Sequence, residues 1–214
     1  MKPLLAAYAN ANPKAAKFAP EYLTDEQMTE LLSKGEKPAF VIDNMSRIEN
    51  YKGSKATSSE NALFGSDILQ IAVPTGNPKR ISGLTAFGND PATRTLLCAS
   101  GEPCGQAAEA TLKKNNIAPA PDAFIDDARA VARELADNKA DAAILFRTEL
   151  MRFGKGKVEG LAIPEVEERV FVIMNVEPSK DSAALIDWIK RDKVAEESLT
   201  STGLRPSLGR KPVA

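Results

Sequence analysis

The stretch Leu96-Leu97-Cys98-Ala99-Ser100-Gly101-Glu102-Pro103-Cys104-Gly105-Gln106 carries the chain from an apolar run into a helix within a few residues. The apolar run has the make-up of a buried strand, and Ser100-Gly101 marks a turn. Pro103 suits the first helical position, where its missing N–H removes no helix bond. A strand that passes so abruptly into a helix belongs to an α/β chain, because its parallel neighbour needs a crossover connection. The same junction favours an anion. The first turn of a helix has N–H groups without intrahelical acceptors and a partial positive charge. Gly105 lays no side chain over those amides.

Strand and helix signals alternate along the rest of the chain. Strands are predicted at Ala39–Asp43, Asp67–Pro74, Ala142–Phe146, Val158–Pro164 and Arg169–Val176. The unbroken apolar run at 142–146 is what a parallel strand covered on both faces requires. Helices are predicted over 2–12, from Thr24 to Gly35, over 44–51, over 81–87 and over 103–116. Another follows Asp126-Asp127, with Ala128, Val131, Ala132 and Leu135 on one face. Two more cover 180–191 and 193–203, where Leu185, Ile186, Trp188 and Ile189 pack the terminal segment onto a sheet. Thr24-Asp25-Glu26-Gln27 has the form of a capping box. Ala118-Pro119-Ala120-Pro121 reads as a connection, and Arg205–Ala214 as a polar tail.

With 214 residues the chain is long enough for one large domain or two modest ones. A net charge of −1 leaves no electrostatic footprint for nucleic acid or for an anionic membrane. No apolar run approaches the ~20 residues of a membrane span. Met1–Tyr8 is too brief for a secretory signal. The absence of histidine removes the commonest general base and every Ser/His or Cys/His nucleophile pair. Two cysteines alone do not make a structural zinc site. No acid/base or nucleophile constellation emerges from the remaining residues, so the chain is expected not to be an enzyme and to carry no cofactor. Cys98 and Cys104, with five residues between them, fit either a disulfide, with the oxidising compartment that implies, or two buried free thiols.

Several strings, in this order, resemble the periplasmic molybdate-binding proteins, the type 2 solute-binding components of ABC importers. They are Leu69-Gln70-Ile71-Ala72-Val73-Pro74-Thr75-Gly76-Asn77-Pro78, Leu97-Cys98-Ala99 through Pro103-Cys104-Gly105, Asp127-Ala128-Arg129-Ala130-Val131, Ala140–Phe146 and Ile163-Pro164-Glu165. The resemblance runs from about residue 4 to residue 204. It implies a type 2 periplasmic-binding-protein fold, α/β, with two lobes of mostly parallel sheets joined by a hinge. Lobe I would comprise 1–74 plus 170–214, and lobe II 75–169. It implies capture of a small tetrahedral oxyanion, molybdate or tungstate, for the permease subunits of an ABC importer, by a monomer in the periplasm or on the extracellular face of the envelope. Cys104, Gly105 and Ala128 would donate backbone amides, Thr24 a hydroxyl, and Phe146 would line the site. Phe146 stands where the family usually has a tyrosine hydroxyl, and Glu21 lies near the place of its hydroxyl-rich turn. The chain begins at the helix that would follow the family's first strand. These departures frame a second expectation, a solute-binding fold that has lost its oxyanion and serves as an interaction or structural module of the envelope. The effector half of a transcription regulator shares the fold, but neither a DNA-binding helix pair nor a basic patch is present.

Overall fold

The computed structural model describes residues 1–47, 61–88, 90–154 and 156–206. In chain order its elements are α1 (Lys2–Ala11), α2 (Asp25–Ser33), β1 (Phe40–Asn44), β2 (Asn61–Asp67) and β3 (Leu69–Pro74). A short 3-10 turn at Leu84–Phe87 leads to β4 (Thr95–Cys98), α3 (Pro103–Lys114), β5 (Ala123–Ile125), α4 (Ala128–Ala136), β6 (Ala142–Phe146), α5 (Arg147–Phe153) and β7 (Val158–Ala162). The last elements are β8 (Arg169–Asn175), α6 (Lys180–Arg191), α7 (Lys193–Ser201) and β9 (Arg205–Pro206). The chain divides into two compact units: Met1–Ser66 with Arg169–Ala214, and Asp67–Glu168.

The first unit is built on a sheet in the order β1-β8-β2-β9. β1 runs antiparallel to β8, with Phe40 opposite Asn175 and Asn44 opposite Phe171. Leu4, Leu5 and Tyr8 of α1 are buried with Phe64, Ile173, Leu185, Ile186, Ile189 and Leu199. Trp188 meets Tyr8 edge-on, ring centroids 5.2 Å apart, so it packs the terminal helix as its spacing predicts. The capping box forms: the Gln27 amide donates to Thr24 Oγ1 and the Thr24 amide donates to Gln27 Oε1. Gly35, at φ +77°, ends the turn after α2 in a conformation glycine adopts without strain.

The second unit holds a sheet in the order β5-β4-β6-β3-β7. β4 is parallel to both β5 and β6, while β3 runs antiparallel to β6 and β7. Its core takes in Ile71, Val73, Leu96, Leu97, Leu112, Val131, Leu135, Ile144 and Leu145, each at most 1% exposed. Right-handed crossovers leave β4 for β5 on one side and β5 for β6 on the other. They therefore place α3 and α4 on opposite faces of the sheet.

Sequence and structure part company at several elements. β3 pairs on both edges within the second unit, so the first crossing falls at 66/67 rather than after Pro74, and the second at 168/169 rather than 169/170. β2 is an unpredicted strand; β8 and β9 complete it from more than a hundred residues away. The connection after Ala118-Pro119-Ala120-Pro121 contains β5, held by β4. α5 follows β6 with no intervening loop. The helix predicted over 81–87 shrinks to the turn at Leu84–Phe87, and the one over 44–51 falls in part outside the described residues.

Candidate functional site

Because β4, β5 and β6 are parallel neighbours, Cys98, Ile125 and Phe146 end at one edge of the second unit's sheet. α3, α4 and α5 all begin there. The carboxyl edge of parallel strands, where successive crossovers diverge, is the general binding edge of open α/β sheets. What distinguishes the three helix starts is the group each already holds.

α5 is held by two carboxylates. The Phe146 amide donates to Glu149 Oε2 at 2.8 Å. The Thr148 amide and hydroxyl both donate to Asp67, which also accepts the Ile68 amide at 3.0 Å. Asp67 is 3% exposed, so the sheet buries a carboxyl group of its own at this helix start. α4 is capped by Asp127, whose Oδ1 accepts the Arg129 amide at 2.9 Å. Ala128, its first residue, is buried.

α3 differs. Glu102 in the capping position makes no side-chain hydrogen bond to the helix. Neither the Cys104 nor the Gly105 amide donates to a protein acceptor among the described residues. Both residues are buried, and buried amides without a protein acceptor are the kind that take ordered water or an anion. The turn beneath them is cross-linked. Cys98 and Cys104 form a disulfide, with Cα atoms 5.7 Å apart, which resolves the choice left open by the sequence. Gly105 is there for space as much as for bare amides: a Cβ on it would stand 2.0 Å from the Ala99 carbonyl oxygen.

The sequence-predicted residues therefore separate. Cys104, Gly105, Ala128 and Phe146 all lie where helices begin at the carboxyl edge of one sheet. Thr24 belongs to the other unit, and its hydroxyl is engaged in capping α2, accepting from Gln27 and donating to Glu26 Oε2 at 3.1 Å. Phe146 is 4% exposed and contributes its backbone, not its ring, to the α5 start. Asp67, which the sequence reading passed over, is the buried polar group of this edge. Its only sequence signal is a carboxylate placed between two strands. Among the described residues no group of three potential metal ligands occurs, and no helix is long and apolar enough to cross a membrane.

Residues 1–205 match the bacterial extracellular solute-binding protein family, and the chain belongs to it. No curated protein matches it significantly. Among solved structures, it is similar to the substrate binding domain of a putative molybdenum ABC transporter from Clostridium difficile. That match has 12% identity and a TM-score of 0.79, over 96% of this chain and 93% of that one. Iron-bound HitA from Pseudomonas aeruginosa matches at 8% identity and a TM-score of 0.69, over 100% and 84%. PEB3 of Campylobacter jejuni, in a structure with L-phospholactate bound, matches at 18% identity and a TM-score of 0.61, over 95% and 93%. At these identities the likeness establishes the fold, that of type 2 periplasmic binding proteins.

Proposed function

We propose that the chain is a non-enzymatic receptor that captures a small tetrahedral oxyanion, molybdate or tungstate, outside the cytoplasmic membrane and delivers it to the permease of an ABC importer. The observation that carries this reading is the start of α3. It combines buried amides at Cys104 and Gly105 lacking protein acceptors, a helix start without a side-chain cap, and a disulfide fixing the turn beneath. Preorganised N–H groups and the helix's partial charge replace the hydration of a dianion without a balancing cation. The molybdenum-transporter neighbour supports the choice of ion. The Ala128 amide, beginning a second helix at the same edge, adds a donor from the opposite face of the sheet.

One observation favours the second reading, a solute-binding fold that has given up its oxyanion and serves in protein interaction. Carboxylates already hold the starts of α4 and α5, and each repels an arriving anion. Isothermal titration of the full chain with molybdate, tungstate and sulfate separates the two. The first reading expects saturable heat and a raised unfolding temperature with molybdate or tungstate, both reduced by Gly105→Ala. Absence of heat and of any thermal shift with all three ions refutes it and leaves the second.

A further inference from the structure

α4 and α5 pack against each other, and where they meet two arginines share one aromatic ring. The Arg129 guanidinium lies 5.2 Å from the centroid of Phe153, and that of Arg152 lies 5.1 Å from the same centroid. Both arginines are exposed, as is Arg133 one turn along α4 from Arg129. None of the three has an ion-pair partner among the described residues. Met151, beside Arg152, is 55% exposed. The acidic residues nearest them are engaged elsewhere: Asp127 caps α4, Glu134 pairs with Lys139, and Glu149 accepts the Phe146 amide.

The geometry is specific. A guanidinium stacked on a ring keeps its face on the aromatic and leaves its edge donors for a planar acceptor. Both guanidinium groups face one ring, so a single segment bearing two carboxylates can reach both and meets donors whose rotamers are already restricted. Arginine, phenylalanine and methionine are also the residues enriched in protein–protein contacts, where lysine is depleted.

We infer that the Arg129–Phe153–Arg152 stack anchors a docking surface for a protein segment carrying two closely spaced carboxylates. The inference is independent of which solute the chain binds. Its test uses the full chain and two probes. One is the capped peptide Gly-Glu-Leu-Glu-Gly with its Gln-for-Glu counterpart; the other is vesicles of phosphatidylcholine and phosphatidylglycerol. In a titration followed by the arginine Nε–H resonances, the Glu peptide should shift Arg129 and Arg152 saturably, and the Gln peptide should not. Arg129→Gln with Arg152→Gln should weaken the Glu peptide by about fivefold or more. Phe153→Leu, which keeps both charges and removes the stack, should weaken it by about twofold to threefold. Equal binding of the two peptides overturns the inference, as does unchanged affinity in the double arginine variant with an intact unfolding midpoint. Arginine-dependent pelleting with the vesicles, in the absence of peptide binding, overturns it in favour of a membrane surface.

Discussion

Gly105→Ala is the sharpest perturbation available, because ordinary helix physics and the local geometry predict opposite signs. Replacing a helical glycine by alanine normally stabilises by about 0.5–1 kcal/mol, through reduced chain entropy. Here the added Cβ would lie 2.0 Å from the Ala99 carbonyl oxygen and 2.6 Å from both the Ala99 carbonyl carbon and the Cys98 carbonyl oxygen. All three are backbone atoms, so no side-chain rotation relieves the contact. An unstrained separation requires the turn and the helix start to part by more than an ångström. The Cys98–Cys104 bond ties those same two segments together. Overpacking of a rigid site costs about 1–3 kcal/mol and occasionally more, and with both flanks backbone the upper end applies. The net expectation is a loss of about 2–3 kcal/mol, or about 10–20 °C in the unfolding midpoint for a unit of this size. Gly101→Ala is the matched control: it lies in the same turn, with nothing within 4 Å of its Cβ position, and should leave the midpoint within a degree or two. Calorimetric scans of the three proteins decide the matter. A Gly105→Ala protein as stable as the parent would refute the close approach and with it the spatial role assigned to this glycine.

Breaking the disulfide, by reductant or by Cys98→Ala with Cys104→Ala, should cost about 2 kcal/mol from the small loop it closes. An unchanged midpoint under reductant, with two thiols already titratable in its absence, would contradict the cross-link. Asp67→Asn weakens the acceptor for the Thr148 amide and hydroxyl and should destabilise by about 2 kcal/mol. A double-mutant cycle with Thr148→Val should show coupling of about 1 kcal/mol or more, and additivity would mean that the pair does not interact. Burial, reinforced by the nearby Asp181, raises the Tyr8 hydroxyl above its ordinary pKa. The folded chain then keeps a proton that the unfolded chain releases, so stability falls as pH rises above about 10, in the window between the two pKa values. Tyr8→Phe should flatten that alkaline limb, and an identical limb in both proteins would exclude the group as its source.

Much of this architecture was legible in local patterns. Thr24 with Gln27, Asp127 before Ala128, and the apolar run at 142–146 each act through neighbours a few residues away, and each forms as the sequence implies. The failures share a cause, which is distance along the chain. β2 is a strand because β8 and β9 flank it. α5 is fixed at its start by Asp67, 81 residues before Thr148. Without a turn residue after Phe146, nothing local marks the change from strand to helix. At the candidate site the sequence located the α3 start and the two cysteines. Gly105, however, has one letter for two physical roles, bare amides and close packing, and only the position of the Ala99 carbonyl tells them apart. Thr24 forms the cap that its spacing to Gln27 implies, and its hydroxyl is engaged there.

The interruption of one unit by the other has a consequence for the order in which the protein is made. Everything the second unit needs lies between residues 67 and 168, and its first and last strands are neighbours, with Gln70 opposite Ala162. A ribosome that has released residue 168 has released a complete sheet with both cysteines. The unit whose synthesis began first must wait, since β8 sits between β1 and β2 in its sheet. During translation, the segment up to Ser66 is therefore an unfinished half that exposes Phe64 and the apolar face of α1 until the chain returns. A nascent chain halted only once residue 168 has emerged from the ribosome should already protect the second unit from protease while its first sixty-odd residues remain open to cleavage or to a chaperone's grip.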